Sequence, residues 1–423
     1  MKKTIEISAN DAISKIEKGK RIFISSGCAE PQFLVKTLVE NADRFEKNEI
    51  VHIMTMGIAP YVKKEYEKHF RHNAFFIGKN VREAVRSGRA DYTPIFLSEI
   101  PHLFINKQMP IHCALIQVSP PNNGYVSLGV SVDIVLAAVK NAEIVIAQVN
   151  NNMPETCGDS KIPLDLIDYL VYHDEPLIEV NEFNEADEVS EKIADNIAKL
   201  VKDGSTLQMG IGKIPNAILK KLVTKNDLGI HTEMFSDGIV ELYKNGNITN
   251  KYKGINNGYS VSSFAMGTKI LYETINKNED FRFFPSEYVN DPFVISQNKN
   301  MVSINSAIEI DLSGQICSDS IGSNFYSGIG GQVDFVRGSV NSKGGFSIIA
   351  LPSTAKNDTL SKIVPFLERG SGVVTSRGDV DFVVTEYGVA YLHGKSIRER
   401  IERLVNIAHP KFRDQLLTES IFN

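Results

Sequence analysis

The chain has 423 residues and a formal net charge of -5, with 42% hydrophobic and 23% charged residues. A chain of this length usually forms more than one hydrophobic core, so we expect two domains. The ordinary balance of apolar and charged residues excludes a disordered or collagen-like protein. The net negative charge gives no basic stripe, so we expect no nucleic-acid partner.

The cysteines and the apolar runs indicate the cellular location of the protein. The four cysteines are Cys28, Cys113, Cys157 and Cys317, without CxxC spacing. This pattern predicts reduced thiols and a cytoplasmic protein. The apolar run at 134–139 stops at Lys140, far short of the ~20 apolar residues needed to cross a bilayer. We therefore expect no membrane association.

Short β-branched runs alternate with longer amphipathic stretches along the chain, which predicts an α/β fold. The predicted strands are 21–24, 142–149, 205–209, 346–351 and 380–385. The predicted helices are 31–40, 131–140, 185–202, 215–224 and 395–407.

The two halves of the sequence resemble one another, as two related domains would. Four residues after the first strand recur in the second half: Pro31, Lys36, Leu38 and Val39 return as Pro215, Lys220, Leu222 and Val223. Weaker pairings set 114–116 against 307–309, and 143–148 against 381–386. The sequence predicts two related open α/β domains, at 1–184 and 185–423, with the active site at their interface.

Residues 208–215 are typical of a strand end, a glycine turn and a helix that starts at Pro215. Such a turn presents backbone N–H groups that can bind an anion. Glycine turns between a strand and a helix are common, so a purely structural turn is the alternative.

Glu233 lies in the polar segment His-Thr-Glu-Met-Phe-Ser-Asp-Gly, within apolar surroundings. A carboxylate at the mouth of a strand can act as a covalent nucleophile or as a general base. The alternative is a solvated loop glutamate, since glutamates are rarely buried. His231 is open to both a structural and a catalytic interpretation.

Three glycines in four positions, Gly328, Gly330 and Gly331, allow a ligand to approach the backbone closely. The N–H groups of Gly330 and Gly331 are candidates to stabilise the oxyanion of a tetrahedral intermediate. A tight surface turn is the alternative. The segments 264–269 and 286–290 are also polar and rich in small residues, but neither indicates a reaction.

Several other chemistries have no support in the sequence. It lacks a GxSxG nucleophile turn, a GxxxxGK[ST] phosphate loop and a His/Cys/Asp cluster with metal spacing. Cys28 follows Gly27 and can be considered a nucleophile, but we expect it to be a small buried apolar residue. We expect no metal and no redox cofactor.

Three motifs in this order, Gly-Ile-Gly-Lys-Ile-Pro from Gly210, His-Thr-Glu-Met-Phe-Ser-Asp-Gly from His231 and Gly-Ile-Gly-Gly-Gln-Val-Asp-Phe from Gly328, carry a family resemblance. The chain resembles the acetyl-CoA hydrolase/transferase family of class I CoA-transferases along nearly its whole length. Residues 25–31 and Met153-Pro154 are most similar to the 4-hydroxybutyrate and butyrate:acetate members.

The resemblance implies an enzyme that moves CoA between a short-chain acyl-CoA, such as 4-hydroxybutyryl-CoA or butyryl-CoA, and acetate. It implies a glutamyl-CoA thioester on Glu233, coenzyme A as substrate and product, and a homodimer. The implied CoA-site residues are Gln208, Met209, Gly210, Ile211, Gly212, Ile308 and Gly331, with Lys356 pairing with a phosphate.

Two other functions stay open at this stage. Water admitted to the same site would give an acyl-CoA hydrolase, and dryness of the site decides between transfer and hydrolysis. A non-catalytic sensor that binds a CoA ligand is the alternative from a different class, because a fold does not fix a function.

Overall fold

The computed structural model describes residues 3–180 and 186–420. The chain folds into two compact units. The first contains the residues up to Val180 together with Val261–Val289, and the second contains the remaining residues. The predicted division at residue 184 lies outside the described residues, so the bounds 1–184 and 185–423 stay predictions. They contain no return of the chain to the first unit, such as the one at Val261–Val289.

The first unit is built on a parallel sheet, with eight strands in the described residues. In spatial order the strands are Ile5–Glu6, Tyr169–Tyr172, Ile144–Val149, Cys113–Val118, Arg21–Ile24, Asn48–His52, Phe70–Ala74 and Ala90–Tyr92. Every residue of Cys113–Val118 is buried. Burial on both faces explains why the central strands are mostly apolar and show no regular alternation.

The second unit is built on a sheet with six strands in the described residues. In spatial order they are Gly229–Ile230, Thr206–Met209, Met301–Ser306, Phe346–Ala350, Phe382–Thr385 and Gly388–Tyr391. The first five run parallel, and Gly388–Tyr391 is antiparallel to its neighbour. Strand Gly229–Ile230 forms one edge of this sheet.

The sheet orders relate the two units. Arg21–Ile24 and Thr206–Met209 hold equivalent positions, as the repeat predicted. The weaker sequence pairings do not match equivalent strands. By its position in the sheet order, Cys113–Val118 is equivalent to Met301–Ser306, and Ile144–Val149 is equivalent to Phe346–Ala350. Apolar strand sequences resemble one another too closely for a short match to fix the correct partner.

Helices cover both sheets. Those of the first unit are Ala9–Ile13, Gln32–Glu40, Arg82–Arg86, Ile100–Ile105, Val135–Asn141, Lys269–Ile275 and Ser286–Val289. Those of the second are Glu188–Ala198, Lys213–Lys221, Gly238–Lys244, Pro292–Ser296, Gln332–Asn341, Ile397–Ile407 and Arg413–Thr418. Within the described ranges, no helix has the length and apolar content required to cross a bilayer.

Short strands complete the two units. Those of the first are Tyr125–Ser127, Cys157–Gly158, Lys161–Pro163, Phe264–Ala265 and Phe281–Phe283. Those of the second are Met234–Phe235, Glu309–Asp311, Ile316–Cys317, Ser320–Ile321, Asn324–Phe325, Thr354–Ala355, Leu360–Ser361 and Ile363–Val364. A further strand, Ser260–Ser262, lies where the chain passes between the units.

Several predicted helix starts differ from those observed. The helix predicted from Pro215 begins at Lys213, and proline fits inside the first turn because N–H groups there have no intrahelical acceptor. The helix predicted from residue 131 begins at Val135, because Ser131 pairs with Phe264 in a β-bridge. The predicted start at residue 185 lies outside the described residues. The described helix begins at Glu188, after the N-cap Asp187.

Candidate active site

Glu233 follows the edge strand Gly229–Ile230 at the carboxyl end of the second sheet. The His231 N–H donates to the Leu207 carbonyl at 3.1 Å. The Thr232 hydroxyl donates to the Met209 carbonyl at 3.0 Å and accepts from the Met209 N–H at 3.3 Å. The Thr232 side chain thus continues the pairing where the strand ends. Ligands of open α/β sheets bind at this end of the strands.

Asn290 holds the Glu233 carboxylate directly. Its Nδ2 donates to Glu233 Oε2 at 3.0 Å, and the Asn290 side chain is fully buried. The Asn290 Oδ1 has no hydrogen-bond partner among the described residues. Glu233 itself is half-buried. The carboxylate is therefore oriented by a fixed amide donor while part of its surface stays accessible.

Gly331 packs against the same two side chains. A Cβ at this position would lie 2.1 Å from Glu233 Oε2 and 2.0 Å from Asn290 Nδ2. Gly331 is also the N-cap of helix Gln332–Asn341, and a helix N-terminus favours a negative charge. The preceding Gly330 has a φ of 59°, a left-handed conformation that glycine adopts without strain. The glycine run thus brings the backbone into contact with Glu233.

The predicted glycine turn lies next to the Glu233 segment, because Met209 bonds Thr232. Gly212 has a φ of 131° and is the N-cap of helix Lys213–Lys221, without a side-chain cap. A Cβ at Gly210 would meet no atom within 4 Å. Gly210 therefore borders open space, as a ligand-binding turn requires.

The remaining predicted CoA-site residues occupy three different settings. Gln208 is buried, and its side-chain amide pairs reciprocally with that of Asn305 at 3.3 and 3.1 Å. The Ile308 N–H donates to the Cys317 carbonyl at 2.9 Å. Lys356 lies exposed at the tip of the hairpin between Thr354–Ala355 and Leu360–Ser361, with a φ of 51°.

Two residues around Glu233 received no role from the sequence. Asn290 belongs to the polar segment 286–290, but nothing in that segment indicates which carboxylate it contacts. The sequence gives no sign of a role for Lys253, because lysine is almost never fully buried, yet here its side chain has an exposed fraction of 0%. Its Nζ donates to the Ile230 carbonyl, three residues before Glu233.

The first unit holds a separate buried cluster of titratable groups. Glu30 Oε2 accepts from the Gly57 N–H at 2.7 Å, and burial raises the pKa of Glu30 to about 7. His52 and His72 stack with ring centroids 4.3 Å apart. Burial lowers the pKa of His72 to about 4 and that of His52 well below its usual value.

Cys28 has the properties of a buried apolar residue. Its side chain is 1% exposed, and burial raises the pKa of its thiol to about 12. A nucleophilic cysteine needs a lowered pKa. Among the described residues, no group of three or more His, Cys, Asp and Glu side chains is placed to hold a metal ion.

Family profiles cover most of this chain. Residues 2–182 match the acetyl-CoA hydrolase/transferase N-terminal domain, and residues 267–420 match the C-terminal domain of the same family. The chain belongs to the acetyl-CoA hydrolase/transferase family. The resemblance drawn from the sequence motifs is thereby confirmed.

Relatives with assigned activities are similar over nearly the full length. The 4-hydroxybutyrate coenzyme A transferase of Clostridium kluyveri is 51% identical, over 98% of this chain and 96% of its own. The butyryl-CoA:acetate CoA-transferase of Anaerostipes caccae is 34% identical, over 98% of this chain and 95% of its own. An acetyl-CoA hydrolase of Yarrowia lipolytica is more distant, at 27% identity over 81% of this chain and 73% of its own.

Solved structures show the same fold. RipA from Yersinia pestis superposes with a TM-score of 0.94 at 36% identity, covering 98% of this chain and 96% of that one. A 4-hydroxybutyrate CoA-transferase from Porphyromonas gingivalis superposes with a TM-score of 0.84 at 37% identity, with the same coverage. The predicted α/β fold class is confirmed.

Proposed function

We propose that this protein is an acyl-CoA:carboxylate CoA-transferase with Glu233 as its nucleophile. The observation that carries the proposal is the contact of Glu233 with the Asn290 amide, beside a glycine that leaves room for both side chains. Membership of the acetyl-CoA hydrolase/transferase family supports the same reaction class. A solvated loop glutamate would not need a buried amide donor.

The reaction proceeds in two half-reactions on Glu233. One carboxylate oxygen attacks the acyl-CoA carbonyl, and the carbon–sulfur bond breaks to give a mixed anhydride and the CoA thiolate. The thiolate then attacks the Glu233 carbonyl carbon of the anhydride. The first acid leaves as its carboxylate, and a glutamyl-CoA thioester remains. An incoming carboxylate repeats these steps in reverse and leaves as the new acyl-CoA.

Each addition creates a tetrahedral oxyanion that needs hydrogen-bond donors. The Asn290 amide already donates to Glu233 Oε2, so it can follow the charge that develops on that oxygen in the thioester-forming step. The N–H groups of Gly330 and Gly331 are the second set of donors that we propose. One donor to such an oxyanion is worth about 3 kcal/mol of transition-state stabilisation.

Coenzyme A is bound, in this proposal, by the segment from Gln208 to Gly212 together with Ile308, Gly331 and Lys356. The open space at Gly210 supports this placement. Lys356 is exposed on a hairpin tip, so its ammonium can reach a phosphate without first breaking a buried contact. Binding energy from the nucleotide end can then orient the thioester at Glu233.

The substrates that we propose are 4-hydroxybutyryl-CoA or butyryl-CoA as donor and acetate as acceptor. The names of the relatives from Clostridium kluyveri and Anaerostipes caccae support this pair. We further propose a homodimer, and a division of the chain into domains 1–184 and 185–423. The free thiols of the four cysteines support a cytoplasmic location.

The decisive assay follows butyryl-CoA with and without acetate. A transferase forms acetyl-CoA only when acetate is present, and it releases little free thiol. Steady thiol release without acetate would identify a hydrolase, which uses water as the acceptor at the same site. Binding of butyryl-CoA without any turnover would identify a sensor. Sedimentation velocity of the same sample tests the homodimer.

A further inference from the structure

Lys253 is a buried lysine that contacts the edge strand Gly229–Ile230, which precedes Glu233 in the chain. Its Nζ donates to two backbone carbonyl oxygens, that of Ile230 at 2.7 Å and that of Tyr259 at 2.9 Å. Its side chain is fully buried, and none of the carboxylates in the described parts of the chain forms an ion pair with it. A lysine buried without an acidic partner costs folding free energy, so we expect its two backbone contacts to have a role that outweighs this cost.

The position of Ile230 indicates this role. The N–H groups of Gly229 and His231 donate to the neighbouring strand, to the Ser205 and Leu207 carbonyls. In a parallel pair the residue between them directs its own backbone groups to the opposite side. For Ile230 this side is the outer edge of the sheet, where no further strand of the sheet follows in the described residues.

Two side chains replace the missing strand at this edge. The Ile230 N–H donates to Asn250 Oδ1 at 2.9 Å, and the Ile230 carbonyl accepts from Lys253 Nζ. The lysine stem passes so close to Gly229 that a Cβ there would lie 2.6 Å from Lys253 Cγ. The strand end is therefore clamped by side chains and not by a neighbouring strand.

We propose that Lys253 is a positioning residue for the transfer reaction. By holding the Ile230 carbonyl it fixes the end of the edge strand, and with it the backbone from which Glu233 reaches the thioester. This role rests on the proposed function of Glu233 as nucleophile. Misplacing a reacting group by about 1 Å can lower the rate about 100-fold.

The surroundings of Lys253 fit this arrangement. Burial lowers the pKa of Lys253 well below its usual value. The two carbonyl oxygens that it contacts accept hydrogen bonds from its amino group.

The test uses Lys253→Met, which keeps an unbranched side chain and removes both donors. Lys251→Met is the matched control, because Lys251 is half exposed and pairs with Asp227. The full-length variants are mixed with butyryl-CoA in a single turnover, and the CoA adduct on the Glu233 peptide is followed by mass spectrometry. Affinity for free CoA is measured by calorimetry, and folding by circular dichroism.

We expect adduct formation in Lys253→Met to slow about 100-fold, with CoA affinity within about threefold of the wild type. Lys253→Gln retains N–H donors and should recover part of the rate, while Lys251→Met should match the wild type. A wild-type rate in Lys253→Met would overturn the proposal. A parallel loss of CoA affinity, or failure of both Lys253 variants to fold, would reduce Lys253 to a structural residue and also reject it.

Failure of the proposed function gives a different result. In that case the wild-type protein itself would carry no adduct on Glu233, and the role of Lys253 would fall with it. A wild-type adduct together with an unaffected Lys253→Met rate would reject only the positioning role.

Discussion

Asn290 Nδ2 lies 3.0 Å from Glu233 Oε2, although the two residues are 57 positions apart in the chain. Glu233 follows the edge strand of the second sheet, and Asn290 is the first residue of the second chain segment in the same unit. The buried amide thus holds Oε2 of a half-buried carboxylate. In the mechanism that we propose, the other oxygen attacks the thioester, so the two oxygens of Glu233 have different roles.

Replacement of Asn290 tests this separation of roles. In Asn290→Ala the oxyanion loses one donor, so kcat should fall about 100- to 1,000-fold, and KM for acyl-CoA should change little. Steady-state kinetics with butyryl-CoA and acetate measure both constants. Asn245→Ala, at an exposed helix end in the same unit, is the control. An unchanged kcat in Asn290→Ala would refute a role for this amide.

Gly331→Ala should disrupt the site by steric overlap. The added Cβ would occupy the space of Glu233 Oε2 and Asn290 Nδ2, so both side chains must move. We expect a loss of about 100-fold or more in kcat and a destabilisation of about 1 to 3 kcal/mol. Gly378→Ala is the control, because its Cβ would meet only Ser376 Oγ at 3.6 Å. Full activity in Gly331→Ala would show that Glu233 does not act from this position.

Gly210→Ala separates ligand binding from folding. The added methyl group would meet no protein atom within 4 Å, so the melting temperature should stay within about 1 °C of the wild type. If CoA occupies the open space, affinity for CoA should fall about tenfold, which corresponds to about 1.4 kcal/mol. Calorimetric titration with CoA measures the effect. Unchanged affinity would place the cofactor elsewhere.

The buried groups of the first unit make stability depend on pH in opposite directions. The pKa of Glu30 is raised to about 7, so its stabilising contribution is present below about 4.5 and is lost as the pH rises through 7. The pKa of His72 is lowered to about 4, so its contribution is present above about 6.5 and is lost as the pH falls toward 4. Each contribution is on the order of 3 kcal/mol.

Glu30→Gln separates the pH effect of Glu30 from that of His72. At pH 8 the variant should be more stable than the wild type by up to about 3 kcal/mol, because no buried carboxylate remains. At pH 4.5 the gain should vanish. Denaturant unfolding at both pH values measures it, with the exposed Glu40→Gln as control. A gain of equal size at both pH values would show that Glu30 does not titrate in this range.

Much of the architecture could be predicted from local sequence signals. The predicted strand 21–24 is the observed Arg21–Ile24, since a buried parallel strand is a short continuous apolar run with turn residues at its ends. The helix predicted from residue 395 begins at Ile397, after a capping box of Ser396 and Glu399. Such signals lie within a few residues of the element they define.

Contacts between distant segments were beyond the reach of these signals. Because of the β-bridge between Ser131 and Phe264, a predicted helix begins later in the chain than expected. No local sequence propensity indicates this bridge. The sequence placed Glu233 in a polar motif, but its contact with Asn290 depends on how two segments pack. Lys253 was missed for a different reason: its burial contradicts the usual behaviour of lysine.

The most direct test of the central claim is mass spectrometry of the protein after incubation with butyryl-CoA without acceptor acid, followed by borohydride reduction and peptide mapping. We predict a CoA adduct on the Glu233 peptide before reduction, an alcohol in place of that carboxyl group with release of CoA and loss of activity after reduction, and neither product in Glu233→Gln. Glu241→Gln, an exposed neighbour on helix Gly238–Lys244, should behave as the wild type. An unmodified Glu233 peptide in a protein that still transfers CoA would contradict the account.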